Sequence, residues 1–369
     1  SKRKMDFFFF FSALDYFMSL IKSGTKFNPA RVAAIGFYGG EPLLNFNLIK
    51  KCVQYLNEKY PNLDFFYSLT TNGTLLDKDK ADFLMHHDFS IAISLDGDQK
   101  EHDRNRVYRT GKGTFTDVMK NIKPIVDSGY DKCRSVAVFD WKSDLFGLQD
   151  FFNRTDVPKL TNVSMPNPDN GCTYYCQFSD KDHINYREME TRAFSGYIDN
   201  LQHSPEMNSF FDYIFGIAAS KAVYSVPALI NTETLFIPYT GSCIPGRKMF
   251  VDIDGNYHIC ERVNPTMPIG NINIGLDFER IAQIMKEYRD HLDLCHKCNM
   301  QKLCGKCYYT FEKEGQFLDA SRICKDTDIS PKRDLSRAFT IGEKDPQLLE
   351  FMINDYYSMI SRFSKTMGD

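Results

Sequence analysis

Hydrophobic positions change their period several times along the chain. Phe7 to Phe11 are consecutive, and Leu14, Phe17, Met18 and Ile21 follow at helical spacing until Gly24. This predicts a helix buried against neighbours. An interfacial membrane helix is disfavoured, because the basic residues precede the run instead of lining one face. From Val32 a repeating rhythm begins. Short apolar runs at Val32–Tyr38, Phe65–Thr70, Phe89–Leu95, Arg134–Phe139 and Leu160–Met165 read as strands. Between them Leu43–Tyr60, Asp77–His87, Thr114–Ser128 and Leu145–Asn153 read as helices, and a polar loop carries His102, Asp103, Arg104 and Arg106. Strand–helix alternation predicts parallel βαβ units, hence an α/β fold with an open or partial barrel. Ligands of such folds bind at the C-terminal strand ends.

The rhythm stops after residue 166. Met165–Gly171 reads as a loop, Cys172-Thr-Tyr-Tyr-Cys176 follows it, and Asp182–Leu201 and Met207–Ala222 read as helices. Met249–Cys260 alternates around Asp254-Gly255, which predicts a hairpin with a type I′ turn. Asp345 and Pro346 begin a final helix, with Leu349, Met352, Tyr356, Ile360 and Phe363 on one stripe.

Composition narrows the class. A chain of 369 residues suggests two domains, and its net charge of −3 makes no case for nucleic acid. No membrane span is expected, since no run of about 18 uncharged apolar residues occurs. Eleven cysteines without a secretory signal suggest a reducing, cytoplasmic setting. The chain begins at Ser1, which suggests a processed or truncated product.

The cysteines carry the strongest chemical signal. Cys295, Cys298, Cys304 and Cys307 fall within thirteen positions, Cys324 follows, and Cys243 and Cys260 precede, with Gly255 five positions before Cys260. Thiols are soft ligands, so the pattern points to iron–sulfur or metal ligation more than to disulfides. Three strand ends carry a second signal: Gly39-Gly40-Glu41, Thr71-Asn72-Gly73 and Ser94-Leu95-Asp96-Gly97. Two adjacent glycines let backbone approach a ligand, and Glu41 offers a carboxylate to an ammonium group.

Together these patterns resemble radical S-adenosylmethionine (SAM) enzymes with a C-terminal SPASM domain. The cysteine order matches over residues 241–330, although the Cys304–Cys307 step is one residue shorter than usual. The resemblance implies a partial (β/α)6 radical SAM barrel lacking its first strand, plus a small cysteine-rich SPASM domain with a β-hairpin. The implied boundaries are 1–166 for the barrel core, 167–240 for a helical bridge, 241–330 for the auxiliary domain and 331–369 for a packing helix. By resemblance, Gly39, Gly40 and Glu41 meet the methionyl amine of SAM, with Asn72, Ser94 and Arg106 as further polar contacts. Two auxiliary 4Fe-4S clusters are implied. Cys295, Cys298, Cys304 and Cys324 would hold the outer one, and Cys243, Cys260 and Cys307 the inner one, whose fourth position is unassigned. Glu261 occupies a place where some relatives carry a proton acceptor, typically aspartate.

The family's Cys-x-x-x-Cys-x-x-Cys loop does not occur before Gly39; the first cysteine is Cys52. A third 4Fe-4S cluster is therefore expected from a segment upstream, and this chain alone is expected not to cleave SAM. The stretch Gly36–Phe46 looks most like maturases of ribosomally made, cysteine-rich peptides, which abstract hydrogen from the peptide and often form thioether crosslinks. The implied partners are a precursor peptide and an electron donor such as ferredoxin or flavodoxin. A sulfatase-type maturase and a non-catalytic iron–sulfur or zinc protein are the alternatives.

Overall fold

The computed structural model describes residues 4–24, 32–166, 173–200, 209–224, 245–246, 248–263, 265–298, 303–304, 306–324 and 329–367. Cys172 and Cys243 lie outside them. The chain divides into two compact units that interleave along the sequence. One holds the described residues of Ala30–Pro166, Thr173–Ala218 and Pro346–Asp369; the other those of Ser1–Pro29, Asn167–Cys172 and Ala219–Asp345. The expected segments were consecutive, whereas here the first helix belongs with the cysteines and the last with the sheet.

That first helix, α1 (Phe7–Gly24), buries Ala13, Leu14, Met18 and Ile21. Its opening turn is not buried as expected: Phe8 is 67% exposed, and the Phe7 and Phe11 rings stack on each other. Burial follows the four-residue period and ignores the continuous run.

The sheet unit holds β1 (Ala33–Phe37), β2 (Phe65–Thr71), β3 (Ser90–Ser94), β4 (Cys133–Val138) and β5 (Leu160–Ser164), all parallel and in sequential order. The intervening helices are α2 (Phe46–Lys59), α3 (Lys78–His86), α4 (Gln99–Asn105), α5 (Phe115–Asp127) and α6 (Leu145–Phe152). Each βα turn is fixed by capping chemistry. Asp77, Asp98 and Asp144 each accept a backbone N–H from the first turn of the following helix. α2 buries Leu48, Ile49, Cys52, Val53 and Leu56 on one face, and truncating such a side chain costs about 2–5 kcal/mol. The residues read as a loop around His102 are in fact α4, whose sequence is polar because its one buried side chain is the histidine itself. α7 (Asp180–Asp199) follows β5, opened by a reciprocal Ser179–Asp182 capping box.

The two faces of the sheet differ. Tyr67, Leu69, Ile91 and Ile93 are buried on one. The other carries Gly36, Ser68 and Ser90 in one row, Thr70, Ala92 and Arg134 in the next, and Ser94, Val136 and Asn162 in a third. Parallel sheets are normally apolar on both faces. Here small and polar side chains, none of the nine buried except by half, leave room over one face.

In the cysteine unit, β6 (Phe250–Val251), β7 (Asn256–His258), β8 (Gly270–Asn271) and β9 (Gly275–Leu276) form an antiparallel sheet. The predicted hairpin is present as β6–β7, but its turn is not type I′. Gly255 N–H bonds to Asp252 O, and Gly255 alone in the turn has positive φ, at 82°. A type I′ turn needs two such residues; one glycine after a tight turn gives a three-residue connection instead. Tyr257, Ile259, Ile269, Ile281, Ile284, Tyr288 and Phe311 form the core, joined by Ala13 of α1. Tyr16 of α1 stacks on Tyr257 at 5.6 Å, and its hydroxyl accepts the Leu276 N–H at 2.8 Å.

Candidate functional site

At the end of β1 the backbone turns through Gly39, whose φ of 143° favours glycine. A Cβ built at Gly39 or Gly40 would meet nothing within 4 Å. The protein's own packing therefore does not require a glycine at 40, and the space beside it is open to a ligand.

Glu41 does more structural work than the sequence suggested. Its Oε1 accepts the Leu43 N–H at 3.0 Å and the Thr71 hydroxyl at 2.8 Å, and Oε2 accepts the Asn72 N–H at 2.8 Å. The carboxylate thus caps the turn Pro42–Asn45 and fastens it to the end of β2. One acceptor position on Oε2 is left for an ammonium proton. Asn72 accepts from Thr74 through Oδ1, which aims its carboxamide nitrogen away from that turn. Ser94 ends β3 on the small, polar face.

Arg106 was expected to be a further polar contact to the ligand. The structure gives its fork a protein partner: Nε bonds Asp96 Oδ2 at 2.5 Å and Nη2 bonds Oδ1 at 2.9 Å. Asp96 also accepts the Val138 N–H, so the pair ties the end of β3 to that of β4. Buried His102 completes this layer, accepting the Asp96 N–H through Nδ1 and bonding the Thr114 hydroxyl through Nε2. Burial pushes the His102 pKa down, which suits a neutral imidazole. Beyond β4, Asp140 accepts Arg104 at 2.6 Å, the Tyr174 hydroxyl at 2.5 Å and the Lys142 N–H. Burial raises its pKa, but these donors outweigh that and hold it below the usual range. The sequence reading missed this network; an aspartate directly after a strand end was its only signal.

The cysteine unit brings four of the expected ligands together. Cys295 lies in the turn Asp293–Lys297, and Cys324 follows the short helix Ala320–Ile323. Burial pushes the Cys295 thiol up to about 11, with Cys324, Cys304 and Cys298 adding to the rise as neighbouring charges. Burial also raises Cys304, which feels Cys324 and Cys298. Cys295 and Cys324 both pack against the core of this unit. Among the described residues, no three His, Cys, Asp or Glu converge on a point that would hold a single metal ion.

Of the remaining expected ligands, Cys243 lies outside the described residues. Cys307 caps the helix Tyr308–Phe311 together with Thr310. Cys260 follows β7, its thiol raised by burial, and Glu261 beside it pairs with Lys248 at 2.7 Å. Burial raises the Glu261 pKa, but the Lys248 bond and charge bring it net below the usual range, so it is an ionised acceptor. Cys52 and Cys133 are buried thiols pushed up to about 12, unsuited to ligation as they stand. Cys176 is exposed in the turn Tyr174–Gln177. No helix among the described residues is long and apolar enough to cross a membrane.

A radical SAM superfamily model matches residues 17–140. An uncharacterised protein of Methanocaldococcus jannaschii is 36% identical over 33% of this chain and 39% of its own length. A cysteine-type anaerobic sulfatase-maturating enzyme of Clostridium novyi is 29% identical over 51% of this chain and 57% of its own. The chain thus spans between about two-fifths and three-fifths of these relatives. The solved structure of native anSMEcpe with bound AdoMet superposes with a TM-score of 0.64 at 21% identity, covering 92% of this chain and 89% of that one. The same protein with AdoMet and the Kp18Cys peptide gives 0.60.

Proposed function

We propose, from the premise that residues 17–140 are a radical SAM domain, that this chain is part of a peptide maturase of the SPASM type. Its substrate would be a ribosomally made, cysteine-rich peptide, and its product a thioether crosslink. The observation that carries the reading is that Cys295, Cys298, Cys304 and Cys324 fall in one compact unit, with Cys295 and Cys324 packed against its core.

Gly39 and Gly40 would admit the methionyl end of SAM to the backbone at the end of β1. Glu41 Oε2 would take one ammonium proton while its other bonds keep it fixed. The Asn72 carboxamide and the Ser94 hydroxyl would supply polar contacts from β2 and β3. Arg106 would act mainly by positioning Asp96 and the β3 end. When bound, SAM and its cluster supply the hydrogen-abstracting chemistry; the auxiliary clusters supply a thiolate site and an electron sink. Glu261, ionised and held by Lys248, would accept the proton released from the peptide.

Anaerobic reconstitution tests this reading. Roughly eight iron and eight sulfide per chain are expected from two four-iron sites. Binding of a cysteine-bearing peptide should alter the resonance spectrum of one reduced cluster. One bound zinc and no iron would overturn the proposal. A second reading, a sulfatase-type maturase, is favoured by the Clostridium relative. Comparing spectral changes with a sulfatase-derived peptide and a cysteine-rich precursor separates the two.

A further inference from the structure

Arg104 and Arg106 spend their guanidinium groups on carboxylates of the protein. Arg134 does not. It stands on β4 in the middle row of the small, polar sheet face, in register with Ala92, which pairs in turn with Thr70. Of the nine side chains named on that face it alone is charged, and it is half-buried. Its Nη1 makes a long bond of 3.4 Å to Cys133 O, the carbonyl of the preceding residue. Among the described residues no carboxylate pairs with it. The Nε–Nη2 edge, the one with which Arg106 holds Asp96, is left without a partner.

A guanidinium in this setting is a receptor for a carboxylate. It keeps its charge at any working pH, and its planar fork meets a carboxylate at two points. The β3 side chains beside it, Ser90, Ala92 and Ser94, are short, so they leave that flank of the face unfilled. A charge on a partly enclosed surface is less screened than one in water, so this single cation selects anions. The methionyl carboxylate of SAM is poorly placed to answer it. That carboxylate shares a carbon with the ammonium group assigned to Glu41, about 2.5 Å away. Glu41 is fastened to the end of β2. Arg134 lies two strands across, about 10 Å at ordinary strand spacing, and its bond to Cys133 O holds the guanidinium over β4.

We propose that Arg134 receives an acidic side chain of the peptide substrate, while the reacting residue lies over the same sheet face. The proposal deepens the maturase reading and rests on it. The site then favours peptides that carry aspartate or glutamate near the modified position.

The test uses the full chain, reconstituted anaerobically and left oxidised, with 15N-labelled arginine. Two capped peptides are the probes: acetyl-Cys-Gly-Glu-Gly-amide and the same peptide with Gln for Glu. The Glu peptide should shift the side-chain N–H resonance that is missing from Arg134→Gln, and should bind roughly tenfold tighter than the Gln peptide. In Arg134→Gln the two peptides should bind alike, with SAM affinity by calorimetry unchanged. Arg134→Lys should keep part of the preference, since the charge remains without the fork. Equal binding of the two peptides to the wild type, or an unmoved Arg134 resonance, overturns the proposal. A resonance moved by SAM alone, with SAM affinity lost in Arg134→Gln, gives the site to the methionyl carboxylate and overturns it as well. Iron is assayed on the same samples. Full iron without the acidic preference leaves the maturase reading standing, whereas zinc in place of iron removes that reading whatever the peptides do.

Discussion

Arg106 and Asp96 form a two-pronged ion pair that joins the loop after α4 to the end of β3, at 2.5 and 2.9 Å. Asp96 is nearly inaccessible, so removing its partner strands a buried charge. Arg106→Ala is therefore expected to cost about 3 kcal/mol. Arg106→Lys should cost most of that, because an ammonium cannot reproduce the fork. Urea unfolding of the cluster-free chain measures both. A loss below half a kcal/mol in either variant would return Arg106 to the role of a ligand contact.

Gly40 separates binding from folding. Its Cβ space is empty, and its φ is outside the left-handed region. Gly40→Ala should leave stability within about 0.5 kcal/mol. SAM affinity of the reconstituted chain should fall roughly tenfold, about 1.4 kcal/mol, because the added methyl occupies the ligand's approach. Glu41→Ala cannot make that distinction, since it also deletes three hydrogen bonds within the protein. Unchanged affinity by calorimetry in Gly40→Ala would move the SAM site elsewhere.

Iron content should follow the thiol environments. Cys298→Ala removes a member of the proposed quartet and is expected to lose about half the iron. Cys52→Ala deletes a thiol sealed in the face of α2 and should lose none. Iron and sulfide assays on both variants check this. Equal losses would mean that the quartet is not a cluster site.

Asp140 should make the sheet unit acid-sensitive. Its folded pKa lies below the ordinary 3.8, held down by Arg104, Tyr174 and Lys142 against the opposing effect of burial. A depressed carboxyl contributes stability above its unfolded pKa and loses it as pH falls through the folded value. Wild-type cluster-free chain should therefore destabilise steeply below about pH 4. Asp140→Asn should be less stable at pH 7 and flatter in that acid range. Parallel acid slopes for the two proteins would show that Asp140 is not responsible.

All five strands were legible because their apolar runs are short, β-branched and bounded by glycine, asparagine or aspartate. The glycine pair and the Cys-x-x-Cys steps stand out by local spacing alone. α4 was not legible, because Gln99–Asn105 has no apolar stripe; its anchor is a hydrogen-bonded histidine, which periodicity cannot register. β8 and β9 escaped for a similar reason, being two residues each and partly glycine. The helix Ile329–Lys344 also went unread, its polar residues hiding Ala338 and Ile341. In the final helix Met352 and Tyr356 are buried as expected, but Leu348 is buried in place of Leu349. The partners of Glu41 and Arg106 lie on other turns or strands, so only the fold could reveal how far each side chain was already engaged.

The bond between Tyr16 and Leu276 spans 260 residues of chain. A ribosome adds residues in order, so α1 emerges long before the strand it clasps exists. During that interval its apolar stripe and phenylalanine run have no permanent partner. The early helix is thus a waiting surface, exposed to chaperones and to self-association until synthesis passes Leu276. Cells making this protein should hold the nascent chain on a holdase up to that point and release it soon after, while the sheet unit waits still longer for the residues after Pro346 that complete it.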